Sequence, residues 1–357
     1  MKSITSSILN TLTAVLLLFA AHTPSAAQGE SSRISHSFSV DPSTAISVSN
    51  KFGDVHVNTW DKNAVELEVI IKAEARTPSR SSDAIDQIRI NIEDRIAKGL
   101  LSFTTEIGRI QGNVNFSVDY TLSVPRTNRL TLNNEFGNIY LQDHSGNLAI
   151  DLKYGQLITE ALEGQTEISL QFGKGQSEVQ SLKGGRVDAK YSKLLLPSVA
   201  ELDLVSQFSD IKIDRSQRLR IDARYGNVSV GEVASFGGNL EFTGLEIGAL
   251  LRTFDIRVKH GNDIRIDRIS RDFEKITIDA EFSSVDLMFE PAASCRFVID
   301  MQFGTLKSDE KGFNFNRITT DPKQSHYEGN FGAEPHRASI SGNFRYGNLR
   351  MGFLSNK

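Results

Sequence analysis

The 357 residues contain one cysteine and one tryptophan. A lone thiol excludes an internal disulfide framework, even in a compartment that would permit one. Cys295 lies far from the N-terminus, so lipid anchoring through a processed N-terminal cysteine is not expected, and a thiol in the core of a strand is. The single Trp60, among apolar segments near five residues long, argues against an outer-membrane barrel, whose strands run to about ten residues between aromatic girdles. Past residue 27 no apolar run approaches the roughly 20 residues a helical span needs.

Catalytic and metal signatures are equally scarce. No Gly-x-Ser-x-Gly elbow, phosphate loop, Cys-His pair or calcium-binding nonapeptide occurs. His36, His56, His144, His260, His326 and His336 are scattered without ligand spacing, and only His326 and His336 share a segment. No metal and no cofactor is expected. The net charge of −4 points to neither nucleic acid nor an anionic membrane surface.

What the chain does have begins with a leader. Lys2, an apolar stretch over residues 12–21 and Ser25-Ala26-Ala27 before Gln28 read as a signal peptide spanning 1–27. The expectation is a protein exported to the periplasm or the outer cell surface.

An aromatic followed by a small residue then recurs at nearly even spacing. The pairs are Phe136-Gly137, Tyr154-Gly155, Phe172-Gly173, Tyr191-Ser192, Phe208-Ser209, Tyr225-Gly226, Phe242-Thr243, His260-Gly261, Phe282-Ser283 and Phe303-Gly304, at intervals of 17 to 22 residues. A fixed period of this length marks a repeat architecture, in which each unit buries its apolar side by stacking on its neighbours.

The columns around the aromatic are consistent. Two residues before it stand Leu152, Leu170, Ala189 and their equivalents; four before it stand Ile150, Ile168 and Val187. After the small residue come alternating apolar pairs such as Ile139 and Leu141, or Val285 and Leu287. Period-two alternation is that of half-buried strands. Each unit thus holds two short strands and a tight corner, where glycine can take positive φ and Ser or Thr can bond its own backbone. Seventeen to nineteen residues leave no room for a crossover helix, so successive units should stack in parallel with about 4.8 Å rise per coil. The aromatic sits at even spacing from both inward columns and is therefore expected to point into the core, rather than outward as a sugar-stacking strip.

The column immediately before the aromatic is polar: Glu135, Lys153, Gln171, Lys190, Gln207, Arg224, Glu241, Lys259, Glu281, Gln302. No two neighbours carry like charge, as stacked facing residues require. The fold class expected is all-β, a single-stranded parallel β-helix, with right-handed winding taken as the default. The expected organisation is 28–130 as an N-terminal β-rich cap with a first coil and an insertion, 131–310 as repeats of 17–22 residues, and 311–357 as a C-terminal cap with the final coil. Within the insertion, Ser81-Ser82-Asp83 should cap a short helix over 84–88, and 89–93 with 100–107 should form a hairpin.

Asn50, Gly53, Asp54, Val55, Val57 and Trp60 form the pattern Asn-x-x-Gly-Asp-Val-x-Val-x-x-Trp, followed far downstream by the Tyr154-Gly155 and Tyr225-Gly226-Asn227-Val228 repeats. This resembles the DUF4097-type adhesin family of exported β-helical proteins of diderm bacteria, over about residues 40–352. The resemblance implies a cell-envelope location and a non-enzymatic binding or scaffold role. It supplies no catalytic residues.

Acidic residues three before the aromatic are the remaining site candidates. Asp151, Asp188 and Asp222 fall on alternate coils, two rises apart, near the outer limit of the ~6.5–9.5 Å used by inverting glycosidases. Asp279 and Asp300 fall on consecutive units, expected about 5 Å apart. These five define the alternative of a polysaccharide hydrolase or lyase; an envelope-stress or assembly factor without a ligand of its own is a third. The partner expected of an adhesin is an extended glycan or protein at the cell surface.

Overall fold

The computed structural model describes residues 28–308 and 312–354; the signal peptide expected over 1–27 lies outside them. Nearly every described residue outside turns is in a strand, and the strands join into one sheet of 23. Leu148–Lys153 pairs in parallel with Leu130–Glu135 on one side and Thr166–Gln171 on the other, residue for residue. Beyond the corner, Leu157–Leu162 pairs in parallel with Ile139–Leu141 and with Gln176–Lys190. Each unit is therefore one coil of a solenoid-like stack. Lys193–Lys259 continues it as one extended stretch.

Both inward columns are buried, from Ile150 and Leu152 to Ile299 and Met301, as are the apolar pairs after the corner. At about 1.5–3 kcal/mol per buried aliphatic side chain, this continuous core is the main stabilising term. A third inner column, at the second corner, holds His144, Leu162 and Leu182. Cys295 is fully buried in the core as expected, and burial pushes its thiol pKa up.

The aromatic column departs from the expectation. Phe136, Phe172, Phe208 and Phe282 are 39–49% exposed. Parity counting assumes unbroken β conformation, but every one of these residues has φ between 50° and 62°. A left-handed residue reverses the side on which its side chain leaves the chain, so the ring points out. The positive φ thus belongs to the aromatic, and the small residue serves another purpose: a Cβ on Gly137 would lie 1.8 Å from the Gly53 carbonyl oxygen, and one on Gly155 1.9 Å from that of Gly137. Where Ser or Thr takes this place, its hydroxyl donates to the carbonyl two residues back, as Ser209 does to Gln207 at 2.8 Å.

Both ends depart from sequence order. Ala45–Lys51 pairs with Leu130–Glu135 on one side and with Leu100–Ile107 on the other; Val55–Trp60 likewise lies between Ile139–Leu141 and Asn115–Pro125. The insertion thus supplies a coil outside the first one. At the other end Ala338–Arg345 is inserted between Lys275–Glu281 and Cys295–Gln302, and Leu349–Phe353 between Val285–Phe289 and Leu306–Ser308. The last coil in sequence is next to last in space. The outer edge of Cys295–Gln302 is covered instead by Gln324–Phe331, antiparallel, and that strand by Phe313–Thr320.

Within the insertion the hairpin of Ile88–Arg95 and Leu100–Ile107 forms, turning at Gly99 with φ 76°. The helix is Pro78–Ile85, earlier than expected, with Pro78 in its first turn and no side-chain cap from Thr77. Residue 88 already begins a strand.

Candidate binding face

Outward aromatics at one corner of each coil from Ala45–Trp60 onward make a ladder. Among the described residues it runs through twelve rings in the order Phe52, Phe136, Tyr154, Phe172, Tyr191, Phe208, Tyr225, Phe242, His260, Phe282, Tyr346, Phe303, with neighbouring centroids 4.7–5.2 Å apart and planes within 10°. The rings cover one another's faces and present their edges to solvent. A strip of open ring faces for sugars, the form weighed from the sequence, is thus not what the outward ladder offers. Stacked pairs contribute about 0.5–1.5 kcal/mol each, while a left-handed non-glycine residue costs roughly 1–2 kcal/mol. Stacking therefore roughly offsets the strain of each corner.

On one flank of the ladder runs the polar column. Lys51 meets Glu135 at 3.1 Å, Arg224 meets Glu241 at 3.5 Å, and Glu281 is 3.6 Å from both Lys259 and Arg345. Arg345 fills the place between Glu281 and Gln302. On the other flank, Asp54 accepts from the Asn138 amide at 2.7 Å and Asn138 accepts from that of Gln156 at 2.9 Å. Asn50 donates to the Val118 carbonyl at 2.9 Å and accepts from Thr105 at 2.8 Å. The residues that carry the family resemblance thus hold coils together.

The five acidic candidates separate. Asp151, Ser169 and Asp188 face one another across three successive strands, and Asp188 pairs with Lys190 at 3.4 Å; Asp222 is exposed. Asp279 and Asp300 line a groove of about 560 Å³ shared with Asn343, Asp321 and His326. Asn343 stands between them in register with both, so they are two coils apart, not one as expected. His326 Nδ1 lies 2.7 Å from Asp300, while His336 Nδ1 bonds Ser294 at 2.7 Å. Among the described residues no group of three or more His, Cys, Asp or Glu is placed to hold a metal ion, and no helix is long and apolar enough to cross a membrane.

One enclosed histidine, unlike His336, lacks a hydrogen bond. His144 is 2% exposed, and neither ring nitrogen meets hydrogen-bonding geometry. Desolvation lowers its pKa to about 4, with the Asn128 backbone opposing the shift. Its packing neighbour in the column is Leu162.

No family model matches the chain, and no curated protein matches it. Solved structures similar to it include a "putative cell adhesion protein" from Clostridium sporogenes, 11% identical over 90% of this chain and 100% of that one, with a TM-score of 0.18. A "putative adhesin" from Parabacteroides distasonis is 10% identical over 90% and 97%, TM-score 0.30. A "putative lipid binding protein" from the same organism is 10% identical over 89% and 96%, TM-score 0.33. At such TM-scores the fold is read from the chain's own hydrogen bonds.

Proposed function

We propose that this chain is a non-enzymatic, adhesin-like binding or scaffold protein of the bacterial cell envelope, exported by its leader, that engages an extended partner along the ladder face. The observation that carries the reading is the unbroken exposed ladder: an apolar ridge eleven ring spacings long, bordered by polar columns. Contiguous exposed apolar surface of this kind marks interaction sites on soluble proteins. The scaffold beneath it is read as a parallel β-helix, right-handed by default and closed at each end by antiparallel strands. The Asn-x-x-Gly-Asp-Val motif supports the same assignment through its resemblance to the DUF4097-type family. A survey against immobilised glycans and cell-envelope extracts tests the reading, together with protease accessibility on intact cells. Retention of an extended polymer by the wild-type protein, weakened by charged substitutions on the ladder, is the expected outcome; no retention by any surface would refute it.

One observation favours a second reading. Asp279 and Asp300 share a groove with His326, which suits a polysaccharide hydrolase. Turnover of a polysaccharide panel that disappears in Asp279→Asn and Asp300→Asn would replace the first reading with this one.

A further inference from the structure

The ladder has a period of two coils. From Phe136 onward its rings alternate in space: phenylalanine on one coil, then a ring with a polar group on the next. Tyr154, Tyr191, Tyr225, His260 and Tyr346 take every second place. Tyr346 keeps the order only because its coil is inserted between those of Phe282 and Phe303. The column beside the ladder obeys the same rule. Each polar ring is preceded by a cation, Lys153, Lys190, Arg224, Lys259 or Arg345, and each intervening phenylalanine from Phe136 to Phe303 by Glu or Gln.

Stacking alone does not call for this pattern, since phenylalanine serves it as well. The hydroxyls of Tyr154, Tyr191, Tyr225 and Tyr346 have no hydrogen-bond partner among the described residues, unlike those of Tyr120 and Tyr140. The cations are held loosely: Lys190, Arg224, Lys259 and Arg345 lie 3.4–3.6 Å from carboxylates, with 36–59% of each side chain exposed. Such surface pairs contribute little, so each cation is free to exchange its partner. Aspartates accompany three of these coils at Asp151, Asp188 and Asp222, one place further from the rings. Next to the ladder itself stands a hydroxyl or imidazole with a positive charge, repeated every two coils, about 10 Å.

We propose that the ladder binds an extended polysaccharide that carries one anionic group per disaccharide, in register with this two-coil period. The inference rests on the reading of an extended partner and names its chemistry. In a two-fold chain of equatorially linked pyranoses each sugar advances by about one coil, and equivalent groups return to the same side at every second sugar. The carboxylate or sulfate then meets the cation, and neighbouring hydroxyls meet the tyrosine. Between them the electropositive ring edges of phenylalanine face sugar oxygens. A peptide fits less well. An extended strand repeats at roughly 6.8 Å, and a polyproline helix at about 9.3 Å per turn. At about 4.8 Å per coil the latter drifts by only about 1 Å over the four intervals from Tyr154 to Tyr346, so the oligosaccharide titrations below, and not spacing alone, separate it from a sugar chain.

The test uses the mature protein and size-graded oligosaccharides in titration calorimetry. The probes are alternating uronate–hexosamine fragments with one carboxylate per disaccharide, chito-oligosaccharides with none, and polygalacturonate fragments with one per sugar. The alternating fragments should bind best, tighten with each added disaccharide and weaken with salt. The triple variant Tyr154→Phe, Tyr191→Phe, Tyr225→Phe, which keeps every ring, should lose at least tenfold in affinity with an unchanged melting temperature. Lys153→Gln, Lys190→Gln, Arg224→Gln, which gives alternate coils the chemistry of those at Gln171 and Gln207, should do the same. Equal binding by either variant, preference for the neutral or fully charged fragments, or self-association through the ladder would overturn the inference. If no fragment binds while a polymeric protein is retained, the inference fails and the broader reading stands; if nothing is retained, both fail.

Discussion

Tyr346 lies flat against Phe282, with ring centroids 4.8 Å apart and planes within 3°. On its other face is Phe303 at 5.0 Å. The coil of Cys295–Gln302 therefore rests on the C-terminal segment. Removing residues 338–354 should leave that coil and the hairpin beyond it unsupported. Hydrogen exchange there should accelerate by orders of magnitude, while the coils of Leu148–Lys153 and Thr166–Gln171 keep their protection.

The ladder residues sit in a left-handed conformation that strains any residue with a Cβ and leaves glycine unstrained. Phe172→Ala loses two ring contacts and keeps the left-handed strain, whereas Phe172→Gly loses the contacts and the strain together. Chemical denaturation should show the glycine variant more stable than the alanine variant by about 1 kcal/mol, the reverse of the usual order in a strand.

Close stacking makes some glycines irreplaceable. Gly137→Ala should cost about 2–3 kcal/mol, because the new methyl group overlaps the Gly53 carbonyl oxygen. Gly184→Ala, where the nearest atom is a carbonyl oxygen at 3.8 Å, should change the urea midpoint little.

His144 gives the fold an acid sensitivity. Its folded pKa of about 4 lies below the ordinary 6.5, so between these values the unfolded chain binds the proton and the folded chain does not. Stability from this residue is intact above pH 6.5 and lost as pH falls toward 4, a total of about 3 kcal/mol. His144→Leu, which matches Leu162 beside it, should remove that loss: its urea midpoint at pH 4.5 should exceed that of the wild type, with the gap narrowing at pH 7.5.

Cys295 should be silent in the native state. Its burial and raised pKa leave no accessible thiolate. Alkylation at pH 8 should proceed only at the rate of unfolding, and addition of urea should expose one thiol per chain.

The repeat, the two inward columns and the apolar pairs after the corner were legible because each coil obeys the same alternation and buries the same positions. The direction of the rings was not, because parity counting fails at a left-handed residue. A signal was nonetheless present: Ser192, Ser209, Thr243 and Ser283 occupy the position after the ring, which therefore demands small size rather than positive φ. The place of the last coil was also hidden, since nothing local tells a strand which neighbours it will have. Here too the columns held a hint. Phe282 followed by Phe303 breaks the alternation of rings, and Tyr346 with Arg345 restores both ring and charge order. For the acidic candidates, Asn343 intervening between Asp279 and Asp300 follows from this same insertion and doubles the separation read along the chain.

The inserted coil also imposes an order on assembly. Past the N-terminal insertion the coils can assemble in chain order as far as Phe282, but the slot beside that ring stays open until Ala338–Arg345 has been made. The ring ladder is therefore closed by residues far from its other members in sequence, and the register of its last rungs is set by Tyr346 entering between Phe282 and Phe303.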